Sequence, residues 1–181
     1  MFCPIALQLY SVRNELQKDF PGTLAQVKEM GYDGVELAGL CGYSPEQVKK
    51  MCEEAGLVPI LEPEIDIFST DKAESERIMK GYLQEHLAKL DDSIQIMFKL
   101  SIPDVDGFYS DIMEDTHVVR VVALSGGYSR DEADEKLARN PGLIASFSRA
   151  LTQGLNVNQT EEEFNNLLRE SIDAIYKASI T

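Results

Sequence analysis

Apolar positions along the 181-residue chain fall into two alternating rhythms. Short runs rich in branched and aliphatic residues predict six strands, at 5–12, 34–40, 58–65, 95–102, 118–125 and 143–150. Segments with apolar residues three and four apart predict helices between them. In "PGTLAQVKEMG", Leu24 and Val27 share a face and the segment stops at Gly31. In "SPEQVKKMCEEAG", Ser44 is placed to cap, Pro45 takes the first helical position and Gly56 ends the helix. The stretch 71–90 predicts a longer helix with Ile78, Tyr82, Leu83, His86 and Leu87 as an inner face. Segments 129–139 and 160–178 read as helices too, the last with Phe164, Leu167, Leu168, Ile172 and Ile175 in step; 104–115 stays ambiguous.

Strands that alternate with helices build βα units on a parallel sheet. The fold class is therefore α/β, TIM-barrel-like, with about six strands, read as one domain over 1–181. An eight-unit barrel takes about 250 residues, so this chain is short for one. Six units either close into a small barrel or leave two sheet edges, and an open edge invites a second copy to complete the sheet as a homodimer.

Functional side chains of parallel sheets gather at the C-terminal ends of strands. Those ends read "LEPEI", "FKLSIP", "LSGGYSR" and "SFSRA". Lys99 interrupts the apolar run "QIMFKLSIP", where an ammonium is costly. Either it is a snorkelling or outward-facing lysine, or it supplies a cation to the acids Glu62 and Glu64. Glu62 and Glu64, two apart in a strand, face one side. Ser125, Gly126 and Gly127 precede a helix and offer backbone amides to an anion, with Arg149 at the end of the last strand to complete a phosphate site. The bland readings are rim acids, an ordinary turn and a surface arginine. His86 and His117 are expected to face solvent. No set of histidines and acids has ligand spacing, so neither a metal nor another cofactor is expected.

Composition narrows the partners. Acidic residues outnumber basic ones 31 to 17, for a net charge of −14, which repels phosphate backbones and anionic lipids. Nucleic acid and membrane are thus disfavoured, while a local cationic pocket for a small anion is not. Cys3, Cys41 and Cys52 show no pairing or metal-like spacing, and no apolar run approaches the ~20 residues of a membrane span. A cytoplasmic, reducing location is expected.

From about Ala55 onward, "AGLVPILEPEI", "MFKLSIP", "VVRVVALSGGYSRDEA" and "GLIASFSRAL" closely resemble, in order, the last four strands of bacterial class I fructose-bisphosphate aldolase. The resemblance implies that Lys99 is the Schiff-base lysine. It makes Glu62 the acid that assists dehydration and Glu64 its neighbour in the proton network. Ser125, Gly126, Gly127, Ser148 and Arg149 become the phosphate site for a triose phosphate or small phosphorylated sugar. Residues 1–56 resemble instead the opening βα units of xylose-isomerase-like sugar-phosphate isomerases and epimerases, through "IALQLYSVRNEL", "EMGYDGVELAGL" and "SPEQVKKMCEEAG". That family's metal ligands belong to later strands and are absent. The chain thus reads as a chimera that lacks the aldolase's first four strands. Two functions follow from it: a weak or incomplete aldolase-type lyase, or a catalytically inactive chimeric barrel protein.

Overall fold

The computed structural model describes residues 5–181, so Cys3 lies outside the described residues. Residues through Glu62, with Gln95–Met97, form one compact unit, and Pro63–Ile94 with Phe98–Thr181 form a second. Six strands lie in one sheet in the order of the chain, β1-β2-β3-β4-β5-β6. This is a TIM-barrel-like α/β arrangement short of the eight strands of a full barrel.

In the first unit, β1 (Ala6–Gln8) leads through a 3-10 turn at Leu9–Val12 into α1 (Arg13–Leu16) and α2 (Phe20–Glu29). Next come β2 (Gly34–Glu36), α3 (Pro45–Ala55) and β3 (Val58–Leu61). The first run is expected to stay extended to residue 12, yet it turns after Gln8. Here the Gln8 side chain accepts the Tyr10 N–H and Ser11 Oγ donates to the Gln8 carbonyl, local bonds that compete with a ladder. The strands pair in parallel, Leu7 opposite Val35 and Val35 opposite Pro59. Leu9, Phe20, Leu24, Val35, Val48 and Cys52 pack behind them as a core. α3 begins as its sequence predicts, with Ser44 and Gln47 forming a reciprocal capping box and Pro45 in the first turn.

The second unit holds α4 (Lys72–Leu87), most of β4 (Ile96–Ser101), α5 (Ser110–Glu114), β5 (Val118–Leu124), α6 (Arg130–Ala138), β6 (Ile144–Ala145), α7 (Arg149–Thr152) and α8 (Glu161–Ser179). β5 and β6 are parallel, with Val122 opposite Ile144 and Ala123 opposite Ala145. β6 is far shorter than the run 143–150 predicts: after Ser146 donates to the Ala123 carbonyl the chain leaves the sheet. The Ala145 N–H, which points away from β5, is taken by Ser179 Oγ of α8. One edge group that would otherwise invite pairing is therefore satisfied within the chain.

α4 buries only part of the face its periodicity predicts: Leu87 is buried and Leu83 half-buried. Ile78 and Tyr82 are exposed, whereas Lys72 and Glu76 are among the most buried side chains, at 3% and 1% exposure. Lys72 has three ammonium protons and three acceptors: Glu76 Oε1 at 2.5 Å, the Ile102 carbonyl at 2.9 Å and Asp104 Oδ1 at 2.9 Å. Glu76 Oε2 in turn accepts the Asp104 N–H at 3.0 Å. A charge pair is tolerated in the interior only when its remaining donors and acceptors are met, and here they are. The network ties α4 to the segment that follows β4.

Burial pulls the Lys72 ammonium down, but hydrogen bonds and attraction from Glu76 and Asp104 outweigh it and hold the group above the ordinary lysine range. The Tyr109 phenol is pushed up, by burial first and then by the negative Glu76 and Asp104. Both groups hold their protons more tightly folded than unfolded. The stability they contribute is complete below their unfolded values, near about pH 10, and is lost as pH rises through the raised ones. The urea midpoint is accordingly expected to fall above about pH 10, and Tyr109→Phe to flatten that fall. Lys72→Met should cost about 3–5 kcal/mol in urea unfolding, because Glu76 is left buried without a cation, while Lys72→Met with Glu76→Met should recover most of it. A single variant as stable as the wild type would show that the network is not structural.

Candidate functional site

Each candidate residue has its own local setting, and those after β3 come first. β3 stops at Leu61, so Glu62 and Glu64 lie in the following loop rather than on one strand face, a correction to the alternation argument. Pro63 has no N–H to give to a ladder, so pairing does not continue past it. Glu62 is half-buried and Glu64 exposed. Lys99 sits within β4, half-buried, between Phe98 and Leu100, which are fully buried. By strand alternation it shares a face with Ser101. Ser101, wholly buried, donates its hydroxyl to the Ile65 carbonyl at 2.7 Å and accepts the Ile65 N–H at 2.9 Å. This pair of bonds fastens the loop after Pro63 to the strand that carries Lys99.

The second part lies at the end of β5. Ser125 is buried and its carbonyl accepts the Tyr128 N–H, closing a tight turn. Gly126 and Gly127 hold φ of +63° and +114°, backbone that side chains rarely adopt. Space forbids a side chain as well: a Cβ on Gly126 would lie 2.6 Å from Ile67 Cγ2. Among the described residues, neither glycine N–H has an acceptor. The start of α6 offers less than expected, because Ser129 and Glu132 already form a reciprocal capping box there. The Glu132 carboxyl is held below its usual range by the Ser129 hydroxyl and then the Ser129 N–H. An anion would thus rely on the glycine amides and on Arg149.

Ser148 and Arg149 are also relocated. Their run predicts a strand end, but Ser148 is the exposed residue before α7 and Arg149 opens that helix. The helical turn still carries the guanidinium to the expected place. Arg149 Nη1 lies 3.9 Å from the point a Gly127 Cβ would occupy. It makes no ion pair among the described residues.

His86 is exposed as expected, whereas His117 is not: its side chain is 12% exposed and its Nδ1 lies 2.8 Å from Asp115 Oδ1. The Asp115 carboxyl is held below its usual range, first by the His117 N–H. Apolar counting along 62–76 misses Ile67 and Phe68 beside the glycine turn, as well as Lys72. The signal available for Lys72 was only a lysine and a glutamate four apart.

Proteins of known name resemble this chain in sequence over most of its length. A class I fructose-bisphosphate aldolase of Clostridium acetobutylicum is 51% identical over 168 residues, covering 92% of this chain and 56% of that protein. Proteins of the same name from Synechocystis and Porphyromonas gingivalis are 55% and 56% identical over 127 and 126 residues, covering 70% and 69% of this chain and 42% of each relative. The chain spans about half the length of the curated relatives it matches. No family model matches. Among solved structures, mutant tryptophan synthase alpha-subunits from Pyrococcus furiosus align with TM-scores of 0.53 and 0.54 at 15% and 14% identity, covering 96% of this chain and 66% of theirs. That likeness bears on the fold alone. Among the described residues, no helix is long and apolar enough to cross a membrane.

The turn itself yields a prediction. Gly126→Ala and Gly127→Ala are each expected to lower stability by about 1–3 kcal/mol in denaturant unfolding, Gly126→Ala by the larger amount. Gly81→Ala, in the open middle of α4 with nothing within 4 Å, should instead raise it, by about 0.5–1 kcal/mol. Equal effects at the three positions would contradict the strained-turn description.

Proposed function

We propose that the chain carries the Schiff-base and phosphate-binding parts of a class I fructose-bisphosphate aldolase-like site, acting on a triose phosphate or small phosphorylated sugar, and that its chemistry is incomplete. One observation carries the reading: Arg149 converges on the Gly126–Gly127 turn in the unit that also holds Lys99, in a chain 51% identical over 92% of its length to a protein of that name. In this reading 1–181 is one α/β domain; a separate ancestry for 1–56 and 57–181 finds no support, because the likeness to the Clostridium acetobutylicum protein covers 92% of the chain and so reaches well into 1–56.

The chemistry follows from the assigned residues. The neutral Lys99 amine attacks the ketone carbon of a triose phosphate and forms a carbinolamine. Glu62 gives a proton to the departing hydroxyl, which leaves as water, and the iminium remains on Lys99. Glu64 serves the same proton network. The Gly126 and Gly127 amides, with Ser125, Ser148 and Arg149, hold the phosphate, so that the ketone arrives oriented. Carbon–carbon cleavage also needs a base at the hydroxyl of the bond being broken. The resemblance assigns that base to the part of the relatives this chain does not span. Loss of a general base lowers a rate by about 10²–10⁴-fold, so imine formation outlives efficient cleavage.

A second reading is a catalytically inactive chimeric or structural α/β barrel protein, since fold alone carries no activity. Reductive trapping separates the two. Incubation with dihydroxyacetone phosphate and borohydride is expected to add the ligand's mass less an oxygen atom, water being lost and two hydrogens gained, to a peptide containing Lys99, and Lys99→Met to abolish the adduct. No adduct at millimolar ligand, or an equal one in Lys99→Met, leaves the inactive reading.

A further inference from the structure

The loop between β3 and α4 is held at both ends by buried bonds. Ile65 is fixed at one end through both its N–H and its carbonyl by Ser101 Oγ. Lys72 is fixed at the other by Glu76, Asp104 and the Ile102 carbonyl. Between these anchors the backbone is shaped by its own polar groups. Asp66 accepts the Phe68 N–H on its carboxylate and the Ser69 N–H on its carbonyl, and the Ser69 carbonyl accepts the Lys72 N–H. The segment is a strap with a defined tip, and the tip carries two apolar side chains, Ile67 and Phe68.

A single exposed aromatic is unremarkable on a protein surface. Phe68 differs in what stands beside it. A Cβ on Gly127 would have Ile67 Cδ1 at 3.5 Å, Phe68 Cε2 at 3.8 Å and Arg149 Nη1 at 3.9 Å as its nearest neighbours. A cation and an aromatic edge therefore reach the same point over the glycine turn, while Phe68 stays 79% exposed and has apolar surface left to cover.

We infer that Phe68 is a specificity-determining contact of this anion site, selecting a phosphate joined to a carbon chain over inorganic phosphate. The inference rests on the anion site proposed above. Arg149 and the glycine amides recognise the phosphate oxygens and do so equally for either ligand. The Phe68 ring rewards only a ligand with C–H surface next to the phosphate, because inorganic phosphate has none to remove from water. Ile67, wedged against Gly126, sets how far the ring leans over the turn.

The test is calorimetric titration at low salt of the wild type, Phe68→Ala and Arg149→Gln, each with inorganic phosphate and with glycerol 3-phosphate. Glycerol 3-phosphate has no carbonyl, so imine formation at Lys99 does not enter. Phe68→Ala is expected to weaken glycerol 3-phosphate about three- to tenfold and leave inorganic phosphate within about twofold, whereas Arg149→Gln weakens both. The chain contains no tryptophan, so Phe68→Trp supplies a lone reporter whose emission should change on saturation with the ester. If both ligands bind but Phe68→Ala weakens neither, or both alike, the assignment of Phe68 is overturned and the anion site stands. If the wild type binds neither ligand, the anion site and the role of Phe68 fall together.

Discussion

The second unit hangs on one buried ammonium. Lys72 is 3% exposed and places all three of its protons on acceptors, two of them some thirty residues away, at Ile102 and Asp104. Once that network is made, α4 can neither rotate nor slide without breaking a buried hydrogen bond to a charge, a loss of about 1.5–3 kcal/mol for each. The start of α4 is then fixed against the end of β4. The loop before it must reach that start from Ser101, and its tip falls on the glycine turn. Two polar residues buried in α4 thereby help determine where Ile67 and Phe68 stand beside the Gly126–Gly127 turn.

The electrostatics of that site run against the rest of the molecule. The chain bears a net charge of −14, and Asp131 and Glu132 open the helix next to the glycine turn. In the proposed function a small anion relies there on one guanidinium and two backbone amides, with the capping box already using part of the helix start. Binding carried by a single exposed cation is weak and is screened by salt. An anion site of this kind needs further contacts to discriminate among ligands, and the contact proposed for Phe68 on the apolar strap is one that salt would not weaken.

Much of this was legible in the sequence. The rhythm of strands and helices, the Ser44–Pro45 and Ser129 helix starts, and the glycine turn all follow from local chemistry, and each appears at its expected place. What was not legible depends on partners distant in sequence. Counting apolar residues along α4 assigns burial to Ile78 and Tyr82, which are exposed, as well as to Leu87, which is buried. The other inward groups, Lys72 and Glu76, are stable inside only through Ile102 and Asp104. The run 143–150 reads as one strand by composition. β6 ends at Ala145 all the same, and Arg149 reaches the glycine turn from a helix. Glu62 and Glu64 were placed on a strand face by their spacing, and Pro63 between them removes that face.

The central claim is that Arg149 and the Gly126–Gly127 turn form one phosphate site. A crystal structure grown with phosphate tests it most directly. The account predicts an ion bridging the Gly127 N–H and the Arg149 guanidinium, at hydrogen-bond distance from both. An empty turn with Arg149 directed into solvent, at phosphate concentrations in the millimolar range, would contradict it.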